Sequence, residues 1–197
     1  MKKEYLHNGL KMDSQEEIDF QNWIEEALQA GYLSNVAYHP VPFLITPKQT
    51  FTEEKQLKTK TKIVERTLLQ PHTYQPDFII DVTQKFLQAF PNHGLKQKAL
   101  TYVTAEKQVI NITNLSYFID VKGTFNQNDA LRRFSIDQKL VYHLHGIFVN
   151  KVIPADFFRL TWVPVSCAFM SNRRELTRRK PFAKCRLLAE IINLSCE

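Results

Sequence analysis

Residues 13–31 carry apolar side chains at a helical rhythm. Ile18, Trp23, Ile24, Ala27 and Leu28 share one broad face and Phe20 flanks it. Ser14-Gln15-Glu16-Glu17 has the form of a capping box, and Gly31 is a natural stop at the far end. The rhythm then changes. Tyr32 to Ile45 is extended in character but broken by Pro40 and Pro42, which suits an edge strand or extended segment rather than a central strand. Thr50 to Lys62 is polar and lysine-rich and reads as a loop or solvated hairpin. Ile63–Gln70 and Tyr74–Val82 are strand-like, interrupted at Pro71.

Gln84–Phe90 predicts a short helix, stopped by the turn Pro91-Asn92-His93-Gly94. Ala99–Val103 and Gln108–Ile112 alternate as a hairpin would and lead into a strand at Leu115–Val121. Asn126 or Asn128 then opens a helix to about His145, with Leu131, Phe134, Leu140, Val141 and Leu144 at helical spacing and Gly146 at its end. Ile147–Ile153 reads as one more buried strand. The order is α-β-β-β-α-β with an inserted hairpin. It predicts an α/β fold in which a mixed central sheet is flanked by helices. Residues 1–153 form this core, and 154–197 make a basic C-terminal extension packed on or appended to it, as a single domain overall.

Two of the predicted strands carry acids in apolar runs. One is Gln75-Pro76-Asp77-Phe78-Ile79-Ile80, the other Tyr117-Phe118-Ile119-Asp120-Val121-Lys122-Gly123. Side chains alternate along a strand, so Asp120 and Lys122 share a face while Ile119 and Val121 point into the core. Two carboxylates and a lysine on neighbouring strands meet the needs of metal-assisted phosphodiester hydrolysis, which must stabilise phosphoryl charge and activate a water. The same residues also have ordinary readings: a turn acid after a proline, and an edge-strand charge pair.

The spacing, order and strand context of these residues resemble the PD-(D/E)XK superfamily, whose fold is restriction-endonuclease-like. Within it the chain is most similar to small phage and mobile-element nucleases and Holliday-junction resolvases. The resemblance implies a metal-dependent endonuclease acting on DNA, with a branched substrate and a homodimer among the family's habits. It implies Mg2+, with Mn2+ able to substitute. Asp77 and Asp120 would bind the metal, the backbone carbonyl of Val121 would complete the inner shell, and Lys122 would orient water or stabilise charge.

Glu17 admits two readings: a further acid from the first helix, as superfamily members often supply, or simply the second half of the capping box. Gln138 and Lys139 match a helix position that faces the site in relatives, with Arg132 and Arg133 gripping flanking phosphates. A solvated basic face explains these four equally well. Asp81 shares the face of Asp77 but lies about 13 Å further along, which favours a turn or surface role. His72 and Tyr74 stand just upstream of Asp77, His72 with a base or phosphate role as its sharper reading and an incidental one as the commoner. His143 and His145, two apart, do not share a helix face and make no zinc pair.

Charge sharpens the choice of partner. The chain has a net charge of +6. The segment Ser171–Arg186 alone holds Arg173, Arg174, Arg178, Arg179, Lys180, Lys184 and Arg186 against Glu175. Lys55, Lys58, Lys60, Lys62 and Arg66 form a second cluster. Such clusters favour a polyanion, here DNA. Phe157, Phe158, Trp162 and Phe169 precede the C-terminal cluster, either as base-stacking surfaces or as core. The three cysteines, Cys167, Cys185 and Cys196, have no framework spacing and read as reduced thiols. No apolar run approaches the roughly 18 residues that span a bilayer. No signal-type stretch follows Met1-Lys2-Lys3-Glu4, so a cytoplasmic location without membrane attachment is expected. Two further function classes stay open: a catalytically silent DNA-binding or assembly protein, and a nuclease for RNA or single strands.

Overall fold

The computed structural model describes residues 5–7, 9–97, 101–103, 109–111, 115–123, 128–172 and 175–194. Its centre is a four-stranded mixed sheet. In chain order the elements that build it are α1 (Gln15–Gln29), β1 (Leu33–Tyr38), β2 (Phe78–Val82), α2 (Gln84–Ala89), β3 (Ser116–Val121), α3 (Asn128–His145), β4 (Val149–Val152) and α4 (Pro154–Leu160). The strands lie in the order β4-β3-β2-β1, with β1, β2 and β3 antiparallel and β4 parallel to β3 through the α3 crossover. The protein is therefore mixed α/β, with helices flanking a mixed sheet. β1 sits at an edge, as the two prolines after it foretold.

Helix α1 starts and stops as its sequence dictates. Ser14 Oγ accepts from the Glu17 N–H at 3.2 Å, and at the other end Tyr32 N–H donates to Ala27 O (2.8 Å) and Gly31 N–H to Leu28 O (3.0 Å). That pair of bonds is a Schellman closure, and it needs the left-handed backbone that Gly31 adopts at φ +71°. The buried stripe differs from the predicted one. Phe20, Trp23, Ile24 and Ala27, at i, i+3, i+4 and i+7, are fully buried, whereas Leu28 is 41% exposed. Phe20 is thus at the centre of the stripe and Leu28 on its flank, because the helix faces the sheet through the tighter of two overlapping apolar arcs.

Strand β3 is buried at every position. One face, carrying Tyr117, Ile119 and Val121, joins the main core with Phe20, Trp23, Phe78 and Ile80. The other face carries Phe118 into a second, smaller core with Phe43, Phe134, Val141 and Val149. On α3 the inward stripe is Phe134, Asp137, Val141 and half-buried His145, so two of its members are polar. Predicted Leu144 is 49% exposed instead. α3 begins at Asn128, and Asn126 lies outside the described residues.

The C-terminal segment is part of the main core. Phe157, Phe158, Trp162, Val163, Cys167, Phe182 and Cys185 are buried there, and the Trp23 and Trp162 rings lie 4.9 Å apart. Glu26 fastens this segment to α1, accepting from Trp162 Nε1 at 3.0 Å and from the Val165 N–H at 2.8 Å. Base stacking by Phe157, Phe158 or Trp162 is therefore excluded: their rings are inside. Cys167 and Cys185 are buried, and burial pushes the Cys167 thiol up to about 12, which suits an inert thiol. Cys196 lies outside the described residues.

Two more features frame the site. Strand Phe43–Thr46 pairs with His72–Tyr74, and between them rises a hairpin, Gln49–Gln56 with Thr61–Leu69. The lysine-rich stretch is thus a hairpin and not a loop, longer than the solvated one anticipated. The predicted second hairpin is present as Thr101–Val103 with Val109–Asn111. At the β4 edge, Asn150 Oδ1 accepts from the Lys96 N–H (2.7 Å) while Nδ2 donates to Lys96 O (2.8 Å) and Phe118 O (3.1 Å). Every hydrogen-bonding group of that buried amide has a partner.

Candidate functional site

The antiparallel register sets Phe78 opposite Ile119, which places Asp77 across from Asp120 at the end of the β2–β3 pair. Asp77 N–H donates to Ile119 O at 3.0 Å, and Asp77 Oδ2 accepts from the Val121 N–H at 2.6 Å. The two motif strands are therefore joined through the backbone and through the acid itself. Asp120 is 3% exposed, and its Oδ2 lies 2.6 Å from Lys122 Nζ. That approach is a close, charge-assisted ion pair, and the Tyr74 hydroxyl also faces this carboxylate. Lys122 is held in turn by its N–H to Val152 O (2.8 Å), and its Nζ lies 5.9 Å from the centre of the Phe134 ring.

Glu17 comes to the same place from α1. Its carboxylate is 4% exposed and accepts from the Asp13 N–H (3.0 Å), the Ser14 hydroxyl (2.9 Å) and the Tyr38 hydroxyl (3.1 Å). The cap reading is therefore correct in outline, although Glu17 reaches the N–H of Asp13 rather than that of Ser14. Its charge also raises the pKa of both Asp77 and Asp120. Cap and site are one structure here. Asp13, Glu17 and His39 further offer ligand atoms within 4.8 Å of one another.

Electrostatics follow from this crowding. Asp77 is raised from 3.8 to about 7, first by burial and then by the charge of Asp120, with Lys122 and the Val121 N–H opposing. Asp120 is also raised, by burial, with Lys122 as the main opposing influence. Buried Asp120 and half-buried Asp77 repel each other across the strand pair, and one lysine does not neutralise both. A hard divalent cation would, and the donors present are carboxylate oxygens plus backbone, the set magnesium prefers. The donor set itself, two acids set across one strand pair with only oxygen ligands, is the observation that fits such an ion. Asp77, Asp120 and the Val121 carbonyl would hold it, with Glu17 nearby.

Sequence reasoning gave no role to three contributors. Tyr74 has a buried hydroxyl directed at Asp120, and its pKa is raised by burial and then by Asp120 and Asp77. Tyr38, whose hydroxyl binds Glu17, is raised by burial and by that carboxylate. Asp137 pairs with His72 at 3.2 Å, which gives that histidine a partner on α3. Tyr74 stood three residues before Asp77 and so had a local signal. Tyr38 and Asp137 had none, since only tertiary packing brings them near.

Other predicted residues lie elsewhere. Gln138 Nε2 donates to Val149 O at 2.5 Å, tying α3 to β4. Lys139 is exposed and, with Lys96, Tyr142 and Phe148, lines a separate cavity of about 400 Å3. Arg132 and Arg133 are exposed on α3. Arg179 is half-buried in an ion pair with Asp19 (3.0 Å) and lies over the Phe182 ring, a structural placement rather than a free cation. Lys180 is exposed, Arg178 ends the strand Glu175–Arg178, and Arg173 and Arg174 lie outside the described residues. Asp81 is bound by Ser116 Oγ and Asn35 Nδ2, in keeping with a role away from the acids. His145 Nε2 contacts Leu44 O at 3.0 Å. No helix among the described residues is long and apolar enough to cross a membrane. Compared with known proteins, the chain matches no family model, no curated protein and no solved structure.

Proposed function

We propose that this chain is a Mg2+-dependent endonuclease of the restriction-endonuclease-like type that hydrolyses DNA phosphodiester bonds in DNA processing or recombination. The observation that carries the reading is the β2–β3 register, which sets Asp77 opposite Asp120 with Lys122 paired to the latter. The antiparallel three-strand run, the α3 crossover and the parallel β4 also follow the order expected of that fold.

When bound, the cation supplies a Lewis acid for the phosphoryl oxygens and lowers the pKa of a bound water. The chain's own residues do the rest. Asp77 and Asp120 present oxygens whose mutual repulsion a bound cation would relieve. The Val121 N–H fixes the rotamer of Asp77, so this carboxylate is oriented before any ligand arrives. Lys122 stands beside the acids, where its ammonium can hold a water or a phosphate oxygen. The Phe134 ring lies beside this ammonium, its centre 5.9 Å from Nζ.

The test is a panel of linear, flapped, four-way and single-stranded DNA, and RNA, with Mg2+, Mn2+ or EDTA. Metal-dependent cutting of DNA, abolished in Asp120→Ala and Lys122→Ala while binding persists, is the expected result. Salt-dependent binding with no cutting on any substrate or metal identifies a DNA-binding protein on the same fold. Cutting confined to RNA or single strands corrects the substrate.

A further inference from the structure

Among the described residues, the hairpin Gln49–Gln56/Thr61–Leu69 belongs to neither hydrophobic core. Its first strand is exposed at all eight positions, and in the second only Val64 is partly covered. An isolated two-stranded ribbon is marginal in water, and this one also leaves Phe51 and Ile63 open to solvent. Its base is the Phe43–Thr46/His72–Tyr74 pair, so it springs from the strand that carries Tyr74 to Asp120. Eight residues at the usual rise carry its tip about 25 Å from that base.

Charge on the ribbon is sorted by face. The register pairs Phe51 with Arg66, Glu53 with Val64 and Lys55 with Lys62, so by the two-residue alternation these six share one face. It holds Lys55, Lys62 and Arg66 against Glu53, which is ion-paired to Arg66. The opposite face pairs Thr52 with Glu65 and Glu54 with Ile63, and carries the remaining two acids. The connection adds Lys58 and Lys60, so residues 55–62 contain four lysines and no acid. Lysines directly across a strand pair repel, and that arrangement is costly unless an anion lies between them.

We infer that this ribbon is a groove-reading arm that enters the major groove of a double-stranded nucleic acid, cationic tip against the phosphates. The groove is about 12 Å wide and admits a two-stranded ribbon. The lysines take the flanking phosphates, and Phe51 on the same face meets the apolar base edges. The inference rests on the nuclease reading and deepens it: the substrate engaged beside Asp77 and Asp120 is duplex DNA, or the duplex arms of a branched one.

The experiment titrates the full-length protein in EDTA with a labelled 30-base-pair duplex, and with one of its strands alone, across about 50 to 300 mM salt. Wild type is compared with Lys55→Gln/Lys58→Gln/Lys60→Gln/Lys62→Gln, and with Lys58→Glu/Lys60→Glu, which alters only the connection. Each phosphate contact contributes about 0.9 to the slope of log affinity against log salt. The expected result is a duplex slope smaller by about 3.6 in the quadruple variant, a loss in the same direction in the double variant, and little change on the single strand. Equal losses on duplex and single strand overturn the groove assignment. An unchanged slope overturns the arm altogether, and loss of a wild-type dimer with duplex binding intact makes the ribbon a self-association element instead. Plasmid cutting with Mg2+ is read in parallel. Cutting with an unchanged slope sinks the arm and keeps the nuclease, whereas a lost slope without cutting keeps the arm and sinks the nuclease.

Discussion

Strand β3 and the ribbon Gln49–Gln56/Thr61–Leu69 are both β-structure, yet they stand at opposite ends of the molecule's physical range. β3 has a partner on each side and a core on each face. The ribbon has one partner strand and water on both faces. The first can hold a charged pair in fixed geometry because surrounding side chains leave it nowhere to go. The second cannot fix anything alone, but its lysines are free to meet a large partner. The charged pair sits where the chain is held from every side, and the exposed lysines where it is not.

The widest separation between the two regions should be in turnover. Asp120→Ala lowers cleavage at least about a thousandfold, several kcal/mol of barrier, whereas Lys58→Gln leaves low-salt turnover within a few-fold. Single-turnover gels on one substrate measure both. Equal losses would erase the distinction. Stability comes next. Ile119→Ala opens a cavity in the main core and should cost about 2–5 kcal/mol in urea unfolding, while Ile63→Ala on the ribbon stays within about 0.5 kcal/mol. A ribbon substitution that destabilises as strongly would mean that the ribbon packs on the body in solution.

A pH series sharpens the same contrast. Asp77 has a folded pKa near 7 against 3.8 when unfolded. Between those values the folded chain binds more protons, so in EDTA this group's contribution to stability is greatest at acid pH and is lost as pH rises from about 4 through 7. Asp77→Asn should flatten that fall, and Mg2+ should lessen it by favouring the charged form. Chemical denaturation at half-unit steps checks the sign; a rise over this interval that Asp77→Asn removes would contradict it. The smallest effect belongs to the cap. Ser14→Ala should cost about 1 kcal/mol. Glu17→Ala should cost a similar amount and also impair cleavage. If it melts earlier but cuts normally, Glu17 is a cap alone.

Much of this was legible in the chain, for reasons that differ by residue. Asp120 and Lys122 could be placed on one face because alternation in a strand is local geometry. The ends of α1 were equally readable, since Ser14 and Gly31 act on backbone groups within a few residues. Long-range partners were not. Nothing near Arg179 signals that Asp19 captures it, and the arginine looked like part of a free basic cluster. Phe157 and Trp162 showed the same ambiguity: aromatic spacing in a short segment does not say whether a ring stacks on a base or on Trp23. Leu28 misled for another reason, because α1 offers two overlapping apolar arcs and only the sheet decides which is used.

Asn150 has a consequence beyond its three hydrogen bonds. Parallel strands joined by a long crossover have no tight turn to set their alignment, so β3 and β4 need some other gauge. A slip of one residue would carry the Asn150 amide away from Phe118 O and both Lys96 groups at once, and would turn it to the other side of the sheet. The same slip would move Val152 O off the Lys122 N–H. An amide with no place among the acids thus acts as the alignment pin for the lysine beside them.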